Sequence, residues 1–181
     1  TTFSPDGTMT RAMLATTLYR EAGSPAVTGA DTFSDTQAGA WYEDAVLWAS
    51  QEGVVSGYGN GLFGTNDPVS REQIATILWR YVGSPSTSAG QDFTDETAIS
   101  AYASAAVDWA RANGIVNGME GNRFAPQLSA TRAQVATILR NYLTMDQEDT
   151  QTPDPDTGRT LVVYFSGSGN TEAVAETIAD T

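Results

Sequence analysis

The sequence has no cysteine, no histidine and no lysine among its 181 residues. Without cysteine there is neither a disulfide framework nor thiolate chemistry. Without histidine the usual general base and the commonest zinc ligand are missing, so no catalytic constellation and no metal site is expected. The nine basic residues are all arginines and face 22 acids, for a net charge of −13. A chain of that sign is repelled by nucleic acid and by anionic membrane surfaces, so any anionic partner must be met by individual arginines. No run approaches the roughly 18 apolar residues of a membrane-spanning helix, and no membrane insertion is expected. There is also no initiator methionine and no leader-like segment, and the first residues align with the middle of a repeat, so the sequence reads as a fragment cut at both ends.

What is present is one phrase said three times. It runs Thr10-Arg11-Ala12-Met13-Leu14-Ala15-Thr16, then Ser70-Arg71-Glu72-Gln73-Ile74-Ala75-Thr76, then Thr131-Arg132-Ala133-Gln134-Val135-Ala136-Thr137. Each copy predicts a helix start: a hydroxyl N-cap, an apolar face at helical spacing, and in two copies a Gln three residues on that completes a capping box. The helices are predicted over 11–22, 71–82 and 132–143, with Leu14, Ala15, Leu18 and Tyr19 as the inward face of the first. The arginines are 60 and 61 residues apart, which makes this a repeat protein.

An arginine on the first helical residue opposes the helix dipole by a few tenths of a kcal/mol to roughly 1. Two readings explain why three copies accept this. Either each arginine and helix N-terminus face a common bound anion, a carboxylate or phosphate, or each is an exposed arginine paired with one of the many acids.

Between these phrases Trp41, Ala45, Trp48 and Ala49 recur as Tyr102, Ala106, Trp109 and Ala110, with the 0, 4, 7, 8 spacing of one helix face. Gly53 and Gly114 end those helices, and Val54-Val55, Ile115-Val116, Phe63 and Phe124 are expected in the core. Trp41 and Tyr102, at the helix starts, are the aromatics placed near a ligand. The resulting units are residues 1–25 (the second half of a repeat), 31–83 and 92–144 (complete repeats), 145–159 (an acidic, proline-bearing linker) and 160–181. Asp154, Asp156 and Gly158 in the linker fail the EF-hand spacing.

These repeats resemble S-layer homology domains. The motifs that carry the resemblance are Phe33 and Asp35 with Phe93 and Asp95, the turns Gly53 to Gly57 and Gly114 to Gly118, Phe3 and Pro5 with Phe124 and Pro126, and the three arginine phrases. The chain departs from the pattern where Phe63 is followed by Gly64-Thr65 with Pro68 displaced, and where Met13, Gln73 and Gln134 stand for the family's Glu. The resemblance implies a mainly α fold, a pseudo-threefold helical unit. It implies non-covalent anchoring to an anionic, pyruvylated secondary cell-wall polysaccharide at the surface of a Gram-positive-type bacterium. By it, Arg11, Arg71 and Arg132 pair with the ligand's anionic group, Asp35 and Asp95 accept from sugar hydroxyls, and Gly57 and Gly118 let the sugar approach the backbone. An Asp just before a helix is also an ordinary turn or cap residue, and that alternative stands beside the ligand role.

Residues 160–181 differ in kind. Leu161-Val162-Val163-Tyr164-Phe165 suits a buried parallel strand, and Ser166-Gly167-Ser168-Gly169-Asn170-Thr171 opens a helix, forming an anion nest. Tyr164, Ser166, Gly169, Thr171, Ala175 and Ile178 fill the fixed positions of a flavodoxin signature, which this stretch resembles. That implies the truncated β-loop-α start of a flavodoxin-like α/β domain, in which residues 166–171 cradle the FMN phosphate. With so few strands no cofactor is expected in this chain; FMN is expected for a longer parent. Two readings compete with anchoring: FMN-dependent electron transfer or reductase activity of that parent, and self-association through the face that a half repeat leaves uncovered.

Overall fold

A computed structural model of the chain describes residues 3–30, 32–87 and 92–145. The linker beyond Met145 and the whole flavodoxin-like stretch, including Ser166, Gly167, Ser168, Gly169, Asn170 and Thr171, lie outside the described residues.

The described residues form five α-helices and no β-strand: α1 (Arg11–Glu21), α2 (Glu43–Gln51), α3 (Arg71–Tyr81), α4 (Ser104–Ala112) and α5 (Arg132–Thr144). The three phrases start α1, α3 and α5. Thr10, Ser70 and Thr131 have extended backbones and accept from the backbone N–H three residues on, and full capping boxes form with Gln73 and Gln134. Leu14, Ala15 and Leu18 are buried, and Tyr19 is half-buried.

The aromatic-alanine helices are shorter than their spacing predicts. Helices α2 and α4 begin at Glu43 and Ser104, so Trp41 and Tyr102 precede the helices instead of opening their apolar faces. The cause ahead of α2 is a turn in which Glu43 N–H donates to Ala40 O and the Glu43 carboxylate accepts from Gly39 N–H at 2.7 Å. Trp41 and Tyr102 are accordingly 56% and 51% exposed, whereas Trp48 and Trp109 are buried. Gly53 (φ +68°) and Gly114 (φ +67°) end the two helices in left-handed conformations, which send Val54-Val55 and Ile115-Val116 back into the core.

Helix α1 packs on α2, and α3 on α4. The outer face of α5 is more open than its counterparts: Thr137 is exposed where Thr16 and Thr76 are 5% and 3% exposed.

The three helix starts are locked by a closed ring of backbone hydrogen bonds. Met9 N–H donates to Ala130 O (3.2 Å), Ala130 N–H to Val69 O (3.0 Å), and Val69 N–H to Met9 O (2.9 Å). These three residues occupy the same place in the three copies, two positions before the arginine, and all are buried. Equivalent residues joined head to tail in a ring of three define a pseudo-threefold axis. Phe63, Phe124, Leu14, Leu18, Ile74 and Leu78, none more than 1% exposed, belong to the single core around it.

Candidate binding site

The ring determines what the helix N-termini can do. The first two N–H groups of each helix donate to carbonyls of the segment leading into another helix: Arg11 N and Ala12 N to Asp67 O and Thr65 O, Arg71 N and Glu72 N to Leu128 O and Pro126 O, Arg132 N and Ala133 N to Gly7 O and Pro5 O. The third donates to the capping hydroxyl. The expected anion at the helix N-terminus is therefore overturned, because protein oxygens already occupy those donors.

The arginine side chains follow the same rule. Arg11 donates through Nε to Phe63 O (2.9 Å) and through Nη2 to Ser56 O (3.0 Å). Arg71 donates to Phe124 O (2.6 Å) and Asn117 O (3.1 Å). Their guanidinium carbons lie 5.3 and 5.1 Å from the Phe63 and Phe124 ring centroids, and Tyr58 covers Arg11 at 4.6 Å. Both residues are about 95% buried, so the alternative of exposed arginines paired with acids fails for them too. Burial pulls both guanidinium pKa values down, opposed by Tyr58 and Asp67 at Arg11 and by Asp95 at Arg71. Their first task is to clasp one repeat to the next.

Arg132 differs. It donates through Nε to Phe3 O (2.9 Å) and stacks on Phe3 at 5.3 Å, while among the described residues its Nη1 meets the weak acceptor Met13 Sδ, at 3.7 Å, and the side chain is half-buried. It borders a cavity of about 70 Å³ lined also by Arg20, Thr16 and Thr17 of α1 and by the exposed indole of Trp41. This first groove combines guanidinium groups, hydroxyls and an aromatic platform. One repeat on, a second groove holds Arg11 and Arg80, both bonded to Ser56, and Tyr102, whose hydroxyl feels both charges.

The aspartates and glycines have work inside the protein. Asp35 Oδ1 accepts from Phe63 N–H (2.7 Å) and Oδ2 from Gly64 N–H (2.7 Å) and Thr65 N–H (3.2 Å); Asp95 accepts from Phe124 N–H (2.7 Å) and Ala125 N–H (2.8 Å). Their carboxylates close loops some thirty residues ahead, and Asp95, although it stands at the N-cap of the 3-10 turn Glu96–Ala98, makes no side-chain cap bond there. Burial alone would raise both carboxyl pKa values, but the backbone donors more than reverse it and hold them below the ordinary carboxylate value. A Cβ on Gly57 would lie 2.5 Å from Leu62 O and from the Phe33 ring, and one on Gly118 would strike Asn122. Protein atoms, not a sugar, already fill the space these glycines leave.

The structure thus brings Arg132 and Trp41 to one groove and Arg11 and Tyr102 to another. Arg71 lies at a third place, beside Asn117. Sequence reasoning missed Arg20, Arg80 and Glu72. The first two had a signal, since each follows its phrase arginine by nine residues, where the third copy has Asn141. Glu72 had one as well: it stands where the other copies have Ala12 and Ala133.

The family model for the S-layer homology domain matches residues 32–75 and 92–136. The chain is 32% identical over 148 residues to an amylopullulanase of Thermoanaerobacterium thermosulfurigenes, and 30% over 148 residues to an endoglucanase of Bacillus sp. (strain KSM-635). It is 28% identical over 140 residues to the surface-layer 125 kDa protein of Lysinibacillus sphaericus. These alignments cover 79%, 79% and 76% of this chain but only 8%, 16% and 12% of the relatives' own lengths.

Proposed function

Residues 32–75 and 92–136 are S-layer homology domains, and on that premise we propose that the chain anchors a surface protein at the bacterial cell wall by gripping an acidic secondary cell-wall polysaccharide in the Arg132–Arg20–Trp41 groove. The observation that carries this reading is the half-buried Arg132 guanidinium bordering an open cavity beside an exposed indole. A sugar carboxylate, such as a pyruvyl ketal, suits the arginines, and the apolar face of a sugar ring suits Trp41. The relatives support anchoring over catalysis: an amylopullulanase, an endoglucanase and a surface-layer protein differ in activity yet share this short stretch.

Co-sedimentation with purified cell-wall sacculi, before and after acid stripping of the secondary polymer, tests the reading. Binding to intact walls that is lost on stripping supports it; failure to bind intact walls, or equal binding to stripped ones, contradicts it.

A second reading, self-association, is favoured by the open α5 face around Thr137. Light scattering at rising concentration decides it, and a monomer throughout removes it. For a longer parent, residues 161–178 carry a separate proposal from sequence alone, FMN with its phosphate at residues 166–171. Visible flavin absorption of that longer protein tests it.

A further inference from the structure

Glu72, on the second residue of α3, is 2% exposed, and its carboxylate collects four donors from two other segments. Oε2 accepts from Ser100 N–H (3.0 Å). Oε1 accepts from Ser100 Oγ (2.9 Å), Tyr102 OH (2.9 Å) and Gln127 Nε2 (2.7 Å). These donors come from the entry to α4 and the entry to α5, 28 to 55 residues further along the chain.

Two of the donors are also linked to each other independently of Glu72. Gln127 Nε2 also lies 3.3 Å from Ser100 Oγ, so the cage is linked internally. Loss of solvent at the hydroxyl, followed by the contact with Glu72, raises the Tyr102 pKa far above its ordinary value and keeps it a proton donor, although half of the residue is exposed. Tyr102 is the aromatic of the second groove, in the place that Trp41 holds in the first. At the α1 position corresponding to Glu72 the first repeat has Ala12, which is buried and brings no carboxylate.

We propose that Ser100, Tyr102 and Gln127 form a carboxylate-binding site that Glu72 fills from within the chain, so that the second groove is closed to acidic ligands at this point, where the first repeat has Ala12 and no carboxylate of its own. The consequence for the glycan rests on the function proposed above; the cage itself does not, and it is tested without glycan. Replacing Glu72 by alanine removes a CH2–COO⁻ unit, which is acetate less one hydrogen. Acetate is therefore the probe.

The experiment uses the full chain. In Glu72→Ala, titration with sodium acetate, against sodium chloride at equal ionic strength, is expected to move the Ser100 amide and Gln127 side-chain amide resonances saturably. It is also expected to recover most of the melting temperature that the substitution removes. In the unsubstituted protein the same resonances should not respond, because the cage is full. If Glu72→Ala is unfolded in chloride, it should fold in acetate. The proposal is overturned if these resonances do not saturate in the folded variant, if they respond equally in the unsubstituted protein, or if the variant stays unfolded in both salts. Wall binding unaltered by Glu72→Ala, together with acetate uptake, would contradict the glycan reading of the second groove and leave the cage intact.

Discussion

Arg71 and Phe124, 53 residues apart, are joined twice: Nε donates to the phenylalanine carbonyl at 2.6 Å, and the guanidinium carbon lies 5.1 Å from the centre of that residue's ring. Arg11 with Phe63, and Arg132 with Phe3, repeat the arrangement around the pseudo-threefold axis. A backbone carbonyl at a buried ring needs a donor, and a planar cation satisfies the oxygen and the ring face together.

Arg71→Ala leaves the buried Phe124 carbonyl without its donor, at about 1–3 kcal/mol, and the part-buried Asn117 carbonyl likewise at about 1 kcal/mol, so a loss of roughly 2–4 kcal/mol is expected. Arg71→Lys should recover little, because an ammonium cannot reproduce the fork. Arg132→Ala, at a half-buried site, should cost clearly less. Urea unfolding followed by circular dichroism measures all three, and equal losses at Arg71 and Arg132 would contradict the clasp.

Asp35 provides a pH test. Its folded pKa lies below the ordinary value of 3.8, so its contribution to stability is complete above that value and is lost as the pH falls through the depressed folded pKa. The protein should lose stability on acidification below about pH 4. Asp35→Asn should be less stable at neutral pH and show a flatter acid limb. An acid limb identical to that of the unsubstituted protein would rule out this role.

The capping boxes predict a coupling. Ser70→Ala should cost about 1 kcal/mol. Gln73→Ala should cost less when Ser70 is already gone, because the two bonds are reciprocal. A double-mutant cycle by thermal unfolding gives the coupling energy, and strict additivity would deny that the box acts as a unit.

Gly57→Ala separates two explanations of a glycine. With Leu62 O and the Phe33 ring 2.5 Å from the new Cβ, the substitution should destabilise the fold by about 1–3 kcal/mol. Had Gly57 served only to admit a sugar, wall binding would fall while the melting temperature stayed put.

The helices with the phrase starts were legible because cap, capping box and apolar spacing are local and agree. Phe63 and Phe124 were legible as core because the aromatic recurs at the same place in both complete repeats. The role of the arginines was not, because their partners are carbonyls some fifty residues away for Arg11 and Arg71 and 129 for Arg132, and a carbonyl leaves no mark on sequence. Trp41 looked like a helix face because spacing alone cannot reveal that the Gly39–Glu43 turn takes up the first step. The pairing of Asp35 with the backbone at Phe63 was hidden likewise: an Asp before a helix has a local explanation, and the structure uses a distant one.

The central claim is that Arg132, Arg20 and Trp41 form the groove that takes the acidic glycan. The most direct measurement is calorimetric titration of Trp41→Ala with purified secondary cell-wall polymer fragments, with Met119→Ala, at an exposed site in the third repeat, as control. Trp41 lies outside the buried core, with its ring against Tyr42, so its removal should weaken binding by about tenfold or more, equivalent to about 1.4 kcal/mol, with little change in melting temperature. Met119→Ala should bind as the unsubstituted protein does. Full affinity in Trp41→Ala would contradict the account.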